Sequence, residues 1–134
     1  MGQIAPAIGA DGADNGYTAL VAKFTALQNA AASLFAEAER LSLRMRVNAD
    51  AATVVSDLCA VAEVDARHVA AVAAVGAAFG GVVNGCSGLM GAVDALHTAA
   101  GHLKSEHQTE YGGIHAAVTA SGVRQAKPGF YQPL

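Results

Sequence analysis

The length and charge of this chain exclude several classes of protein. Its 134 residues fit one domain, and 8 Lys and Arg against 11 Asp and Glu give a formal net charge of -3. So few, thinly spread cations cannot neutralise the phosphates that duplex binding requires, so nucleic acid is not expected as a partner. The composition is 53% hydrophobic but only 5% aromatic, which favours a helical fold built from small apolar side chains.

The N-terminal segment predicts no regular structure. Residues 1–13 are rich in Gly, Ala and Asp without periodicity, which is typical of a flexible lead-in. A basic region followed by an apolar stretch is not visible there, so a cytoplasmic location is expected. Asp14-Asn15-Gly16 then offers a helix cap.

A first helix is predicted over about 15–62. Its apolar residues follow one another at alternating steps of three and four, the heptad spacing that keeps one stripe facing a partner helix. Asn48 and Asp50 could cap a new helix, but the alanines around them favour one continuous helix. The predicted seam comprises Tyr17, Leu20, Phe24, Leu27, Ala31, Leu34, Ala38, Leu41 and Met45.

A second helix is predicted over about 66–120, after a turn near 63–66 in which Asp65 caps it. Because short connections make neighbouring helices antiparallel, the fold class is all-α, a long two-helix hairpin of coiled-coil type over 14–121. The apolar flanks of such a hairpin favour assembly into a helical bundle. The second predicted seam comprises Val72, Val75, Phe79, Val82, Cys86, Leu89, Val93, Leu96, Ala100, Leu103 and His107.

The stretch 69–93 carries no charged residue and is long enough to cross a bilayer. Asn84 and Ser87 dilute it, and no aromatic belt or basic flank marks its ends, so a buried soluble helix is favoured and a membrane span is the alternative. Gly81, Gly85 and Gly88 share a stripe away from the seam. They predict either close packing of a further helix or a weak, kinked segment.

No chemistry of catalysis is indicated. Cys59 and Cys86 fall on the order of 20 Å apart along the predicted hairpin, too far for a disulfide, and neither has a His placed to activate it. His102 and Glu106 share a helical face, but Glu-x-x-His pairs are lacking. We therefore expect no enzyme activity, no metal and no cofactor.

The C-terminal segment 122–134 is predicted to be a tail that docks on a partner protein. Pro128 and Gly129 end helical propensity, and two of the chain's seven aromatic residues follow them. Apolar side chains on such a tail can enter a groove on another protein or fold back on the hairpin, and docking is favoured over an inert end. The proposed contact residues are Lys127, Pro128, Phe130 and Tyr131.

Four segments carry a family resemblance: Asp14-Asn15-Gly16-Tyr17, Ala38-Glu39-Arg40-Leu41, Met45-Arg46-Val47-Asn48-Ala49 and Lys127-Pro128-Gly129-Phe130-Tyr131. They are similar to small actinobacterial helical proteins labelled conjugal transfer proteins. The resemblance implies a part in plasmid transfer or a mycelial cell-surface process, but not the DNA-pumping motor. This chain departs from those relatives at Ala66, where they often have Pro, and in its Gly-rich, uncharged 69–93.

A looser resemblance, in shape alone, is to the Trp-x-Gly helical hairpins exported by type VII secretion. This chain has no Trp, and His115 stands where a Tyr-x-x-x-Asp/Glu signal starting at Tyr111 needs an acid. The leading hypothesis is therefore a self-associating hairpin that pairs into a four-helix bundle and serves as a scaffold or adaptor. The alternatives are a small membrane protein spanning at 69–93 and an exported hairpin.

Overall fold

The computed structural model describes residues 16–122, which form two α-helices, α1 (Tyr17–Val61) and α2 (Ala66–Ser121). The helices pack against each other, and no strand occurs within this part of the chain. The predicted all-α helical hairpin is confirmed. The predictions for segment 1–13 and for the tail fall on residues outside the described range, apart from Gly122.

The two helices are long and unbroken. α1 has 45 residues and α2 has 56, against predicted bounds of about 15–62 and 66–120. α1 passes through Asn48 without interruption. Alanine-rich flanks explain this continuity, because alanine is the residue that costs a helix interior least.

The turn between the helices is fixed by a cap on each side. The amide of Val64 donates to the carbonyl of Cys59 at 3.0 Å and that of Glu63 to the carbonyl of Ala60 at 3.1 Å. This is the Schellman arrangement, and it holds Glu63 at a φ of 57°, in the left-handed region. Asp65 then opens α2, because its Oδ1 accepts a hydrogen bond from the amide of Arg67 at 3.0 Å.

The hairpin divides into two compact units, Ala31–Leu96 with the turn and a unit formed by the chain up to Ala30 together with the chain from His97. The core of the Ala31–Leu96 unit is made of small side chains. The only large one among them is Val93, and two are serines. The buried residues are Ala31, Ala38, Ala52, Cys86, Val93, Ser42 and Ser56.

Small side chains let the two helices of this unit approach closely. The hydroxyl of Ser56 donates to the carbonyl of Val69 across the helices at 3.3 Å. A Cβ added at Gly76 would lie 3.3 Å from the Cβ of Ala52, tighter than ordinary contact. Gly76 therefore marks a close approach of α1, where an added side chain would push Ala52 away by a few tenths of an ångström.

The other unit is held by one buried alanine and an aromatic group. Ala100 is 1% exposed. The Tyr17 ring stacks on His107 with centroids 5.1 Å apart and on His115 at 4.5 Å, and Phe24 meets the edge of His107 at 6.2 Å. These rings join the first turns of α1 to the later turns of α2.

Candidate functional site: an exposed leucine and valine face

The predicted seam and the observed helix contact differ at alternate positions. Ala31, Ala38, Cys86, Val93 and Ala100 lie between the helices as expected. The leucines assigned to the seam instead lie beside it, with 36–51% of their surface exposed: Leu27, Leu34, Leu41, Leu89, Leu96 and Leu103. Val75 and Val82 of the predicted seam are exposed as well. The remaining seam residues are half-buried: Tyr17, Leu20, Phe24, Met45, Val72, Phe79 and His107.

The displacement of the leucines has a physical cause. Gln28 follows Leu27, Ser42 follows Leu41 and Ser56 follows Val55, and the helix turns these three polar residues inward as half-buried or buried residues. Because a serine side chain is shorter than that of leucine or valine, α1 and α2 can approach closely at Ser42 and Ser56 and leave the branched side chains outside. A pattern search for large apolar residues alone passes over such positions.

In the Ala31–Leu96 unit, seven of the exposed leucines and valines form a surface that we call the leucine–valine face. It takes one residue in seven from each helix, and its seven side chains are between 36% and 50% exposed. Its members are Leu34, Leu41, Val55, Val75, Val82, Leu89 and Leu96.

Both helices turn their rows to the same side of this unit. In an antiparallel pair, equivalent heptad positions flank the contact on one side. A groove of about 470 Å³ shows this directly, since Val55 of α1 and Val75 of α2 both line it, together with Ala52, Val72 and Phe79. Asn48 is the polar residue in that lining. At the level of Val55 and Val75 the rows of the two helices therefore line one groove, which is apolar except at Asn48.

The opposite side of the same unit is more polar. A groove of about 580 Å³ there is lined by Arg46, Asp50 and Asn84, with Gly80 and Gly81 as its floor. Each of these polar side chains is exposed to solvent, so none of the three is a buried group that could bind a ligand in this groove.

The three glycines predicted as a close-packing stripe are exposed. A Cβ added at Gly81, Gly85 or Gly88 would meet no atom within 4 Å. Contacts within the described part of the chain therefore do not require glycine at these positions. α2 continues through them without a break in its helical assignment.

Among the described residues, the titratable side chains form no recognisable reaction centre. Cys86 is a buried free thiol and Cys59 a half-buried one. His97 and His102 are exposed, while His107 lies half-buried with its Nε2 3.2 Å from the carbonyl oxygen of Tyr17. Within residues 16–122 no group of three or more His, Cys, Asp or Glu side chains is placed to hold a metal ion.

The four tail residues predicted to contact a partner, Lys127, Pro128, Phe130 and Tyr131, lie outside the described residues. Comparison with protein-family models, with curated proteins and with solved structures gave no match. The resemblance to conjugal transfer proteins therefore stays a prediction from sequence segments.

Proposed function

We propose that this protein is a non-enzymatic helical scaffold whose first partner is a second copy of itself, bound through the leucine–valine face. One observation carries the proposal: among the described residues the core is mostly alanine and serine, with Cys86 and Val93, while most of the larger aliphatic side chains are partly exposed. Contiguous exposed apolar surface of this kind marks interaction sites in soluble proteins.

Covering the leucine–valine face removes apolar surface from water, which favours association. Its seven side chains are 36–50% exposed, so each has surface left to bury against a second copy.

Light scattering behind size exclusion, on the purified full chain without detergent, tests the proposal. The expected result is one soluble species at twice the monomer mass, dissociating on dilution. A monomer that stays monomeric at high concentration would overturn self-assembly.

A membrane protein is the second candidate, and α2 supplies the observation for it. Among residues 16–122, α2 is the helix long and apolar enough to cross a bilayer, with a mean hydropathy of 1.8 in an 18-residue window of which 6% is buried. Lipid could cover so exposed an apolar window as well as a second copy could.

The charges on α1 weigh against that alternative. Within the Ala31–Leu96 unit the uncharged part of α2 packs against α1, since a Cβ added at Gly76 would lie 3.3 Å from the Cβ of Ala52 and 3.6 Å from the carbonyl oxygen of Ala49. Each charged residue at the bilayer centre costs about 2.5–3.5 kcal/mol, so the hairpin would have to open before α2 entered lipid. The charged residues concerned are Glu37, Glu39, Arg40, Arg44, Arg46, Asp50 and Asp57.

Cell fractionation separates these candidates. Recovery of the full chain from the soluble fraction without detergent supports the scaffold, whereas recovery only with detergent supports a span at 69–93. Appearance in the culture medium would support the exported hairpin. The link to plasmid transfer or a mycelial surface process rests on the sequence resemblance alone.

A further inference from the structure

The outward side of α2 carries a second, complete heptad seam. Starting from Ala71, exposed apolar residues follow at alternating steps of four and three, and none of them is charged. Large and small side chains alternate strictly along it. The seam, called here the outer seam, comprises Ala71, Val75, Ala78, Val82, Gly85, Leu89, Ala92 and Leu96.

We infer that the outer seam binds the outer seam of a second copy, with the two α2 helices antiparallel about a two-fold axis level with Ser87. This inference rests on the proposed self-assembly and specifies its geometry. In antiparallel coiled coils the two core rows of one helix face the opposite rows of the other. With the axis at Ser87, each facing pair joins one large and one small side chain: Gly85 with Leu89, Val82 with Ala92, and Ala78 with Leu96.

Polar residues beyond the two ends of the outer seam favour this register over its neighbours. A shift of one heptad in one direction places Val75 against Glu106 of the second copy, and a shift in the other places Ala99 against its His68. Either shift brings a polar side chain against an apolar one, which costs free energy that the unshifted register avoids.

Charge also selects α2, rather than α1, as the helix that α2 meets. The positions of α1 equivalent to the small row of the outer seam include Glu37 and Arg44, both exposed. Packing α2 on α1 of the second copy would press these charges onto an uncharged alanine and glycine row. Packing α2 on α2 leaves them at the edge, in water.

A contact with a second copy would explain the glycines, which the contacts among the described residues do not explain. A glycine inside a helix lowers helix stability relative to alanine, and among the described residues an added Cβ at Gly85 meets no atom within 4 Å. Opposite Leu89 of a second copy, Gly85 removes the side chain that would hold the helices apart. Gly81 and Gly88 lie beside the same contact and place no side chain there.

Cross-linking of single cysteines tests the geometry. In the full chain carrying Cys59→Ser and Cys86→Ala, Gly88→Cys places a thiol level with residue 86 of the second copy, an axial offset of about 3 Å, whereas the matched control Gly81→Cys gives an offset of about 18 Å. A short bis-maleimide should link Gly88→Cys chains efficiently, at least tenfold faster than Gly81→Cys chains. Light scattering on both variants first establishes whether they are dimers.

The outcomes distinguish the two proposals. Monomers in light scattering would overturn self-assembly and the inference together. Dimers in which both cysteines cross-link equally would mean parallel α2 helices, and dimers in which neither does would mean that another surface pairs; each overturns the inference and leaves self-assembly standing.

A second pair of variants tests the close approach. Gly85→Leu should weaken the dimer more than tenfold although it favours the helix, because the added side chain collides with Leu89 of the second copy. Gly91→Leu, on the far side of α2 and equally free of neighbours, should leave the dimer unchanged. Equal dimer affinity in both variants would overturn the close approach.

Discussion

Replacing Leu89 with Ala is the sharpest single perturbation of the leucine–valine face. Leu89 is 41% exposed, so the isolated hairpin has already buried somewhat more than half of it. Burial of the remainder in a dimer is worth roughly 0.5–1 kcal/mol for each copy, and symmetry doubles it to roughly 1–2 kcal/mol. The dimer dissociation constant should therefore rise about five- to thirtyfold.

Leu43→Ala is the matched control. Leu43 is more exposed, at 57%, but it lies one heptad before Asp50, on the row that faces the polar groove. Sedimentation equilibrium over a dilution series measures both dissociation constants, and circular dichroism checks that both variants stay helical. Equal weakening by the two substitutions, or none by Leu89→Ala, would refute the argument that this face pairs.

Three further substitutions test the hairpin itself, each read from urea unfolding at one fixed protein concentration. Glu63→Gly should stabilise the fold by about 0.5–1 kcal/mol, because glycine relieves the left-handed φ of 57° and loses part of that gain to chain entropy; a loss of stability would contradict the Schellman turn. Asp65→Ala should cost about 1 kcal/mol by removing the cap on α2, and an unchanged midpoint would mean that the cap contributes nothing. His107→Ala should cost about 1–2 kcal/mol through its lost stacking on Tyr17, whereas His102→Ala, exposed on the same helix, should change stability by less than about 0.5 kcal/mol; similar costs for both would count against the aromatic group.

The sequence was sufficient for the fold because the signals were local. Steps of three and four in apolar residues marked both helices, and Asp65 followed by an apolar run marked the start of the second. Such signals depend on the 3.6-residue repeat and on cap chemistry, which do not need knowledge of the partner helix.

The side of each helix that is buried was harder to predict, because it depends on how closely the other helix approaches. Leu34 and Leu41 are more hydrophobic than Ser42, yet both leucines are exposed and Ser42 is buried. Close approach at Gly76 and Ala52 makes small residues the better fillers, and only the pairing of the two helices reveals that. The same cause hid the leucine–valine face, since a residue assigned to the inner contact is not sought on the surface.

The position of the turn gives the hairpin a gradient of sequence separation. Ser56 and Val69, which bond across the helices, are 13 residues apart in the chain, whereas Tyr17 and His107 are 90 apart. Because closing a long loop costs more entropy than closing a short one, contacts beside the turn can form before those at the far ends. Folding should therefore proceed as a zipper from Asp65 outward.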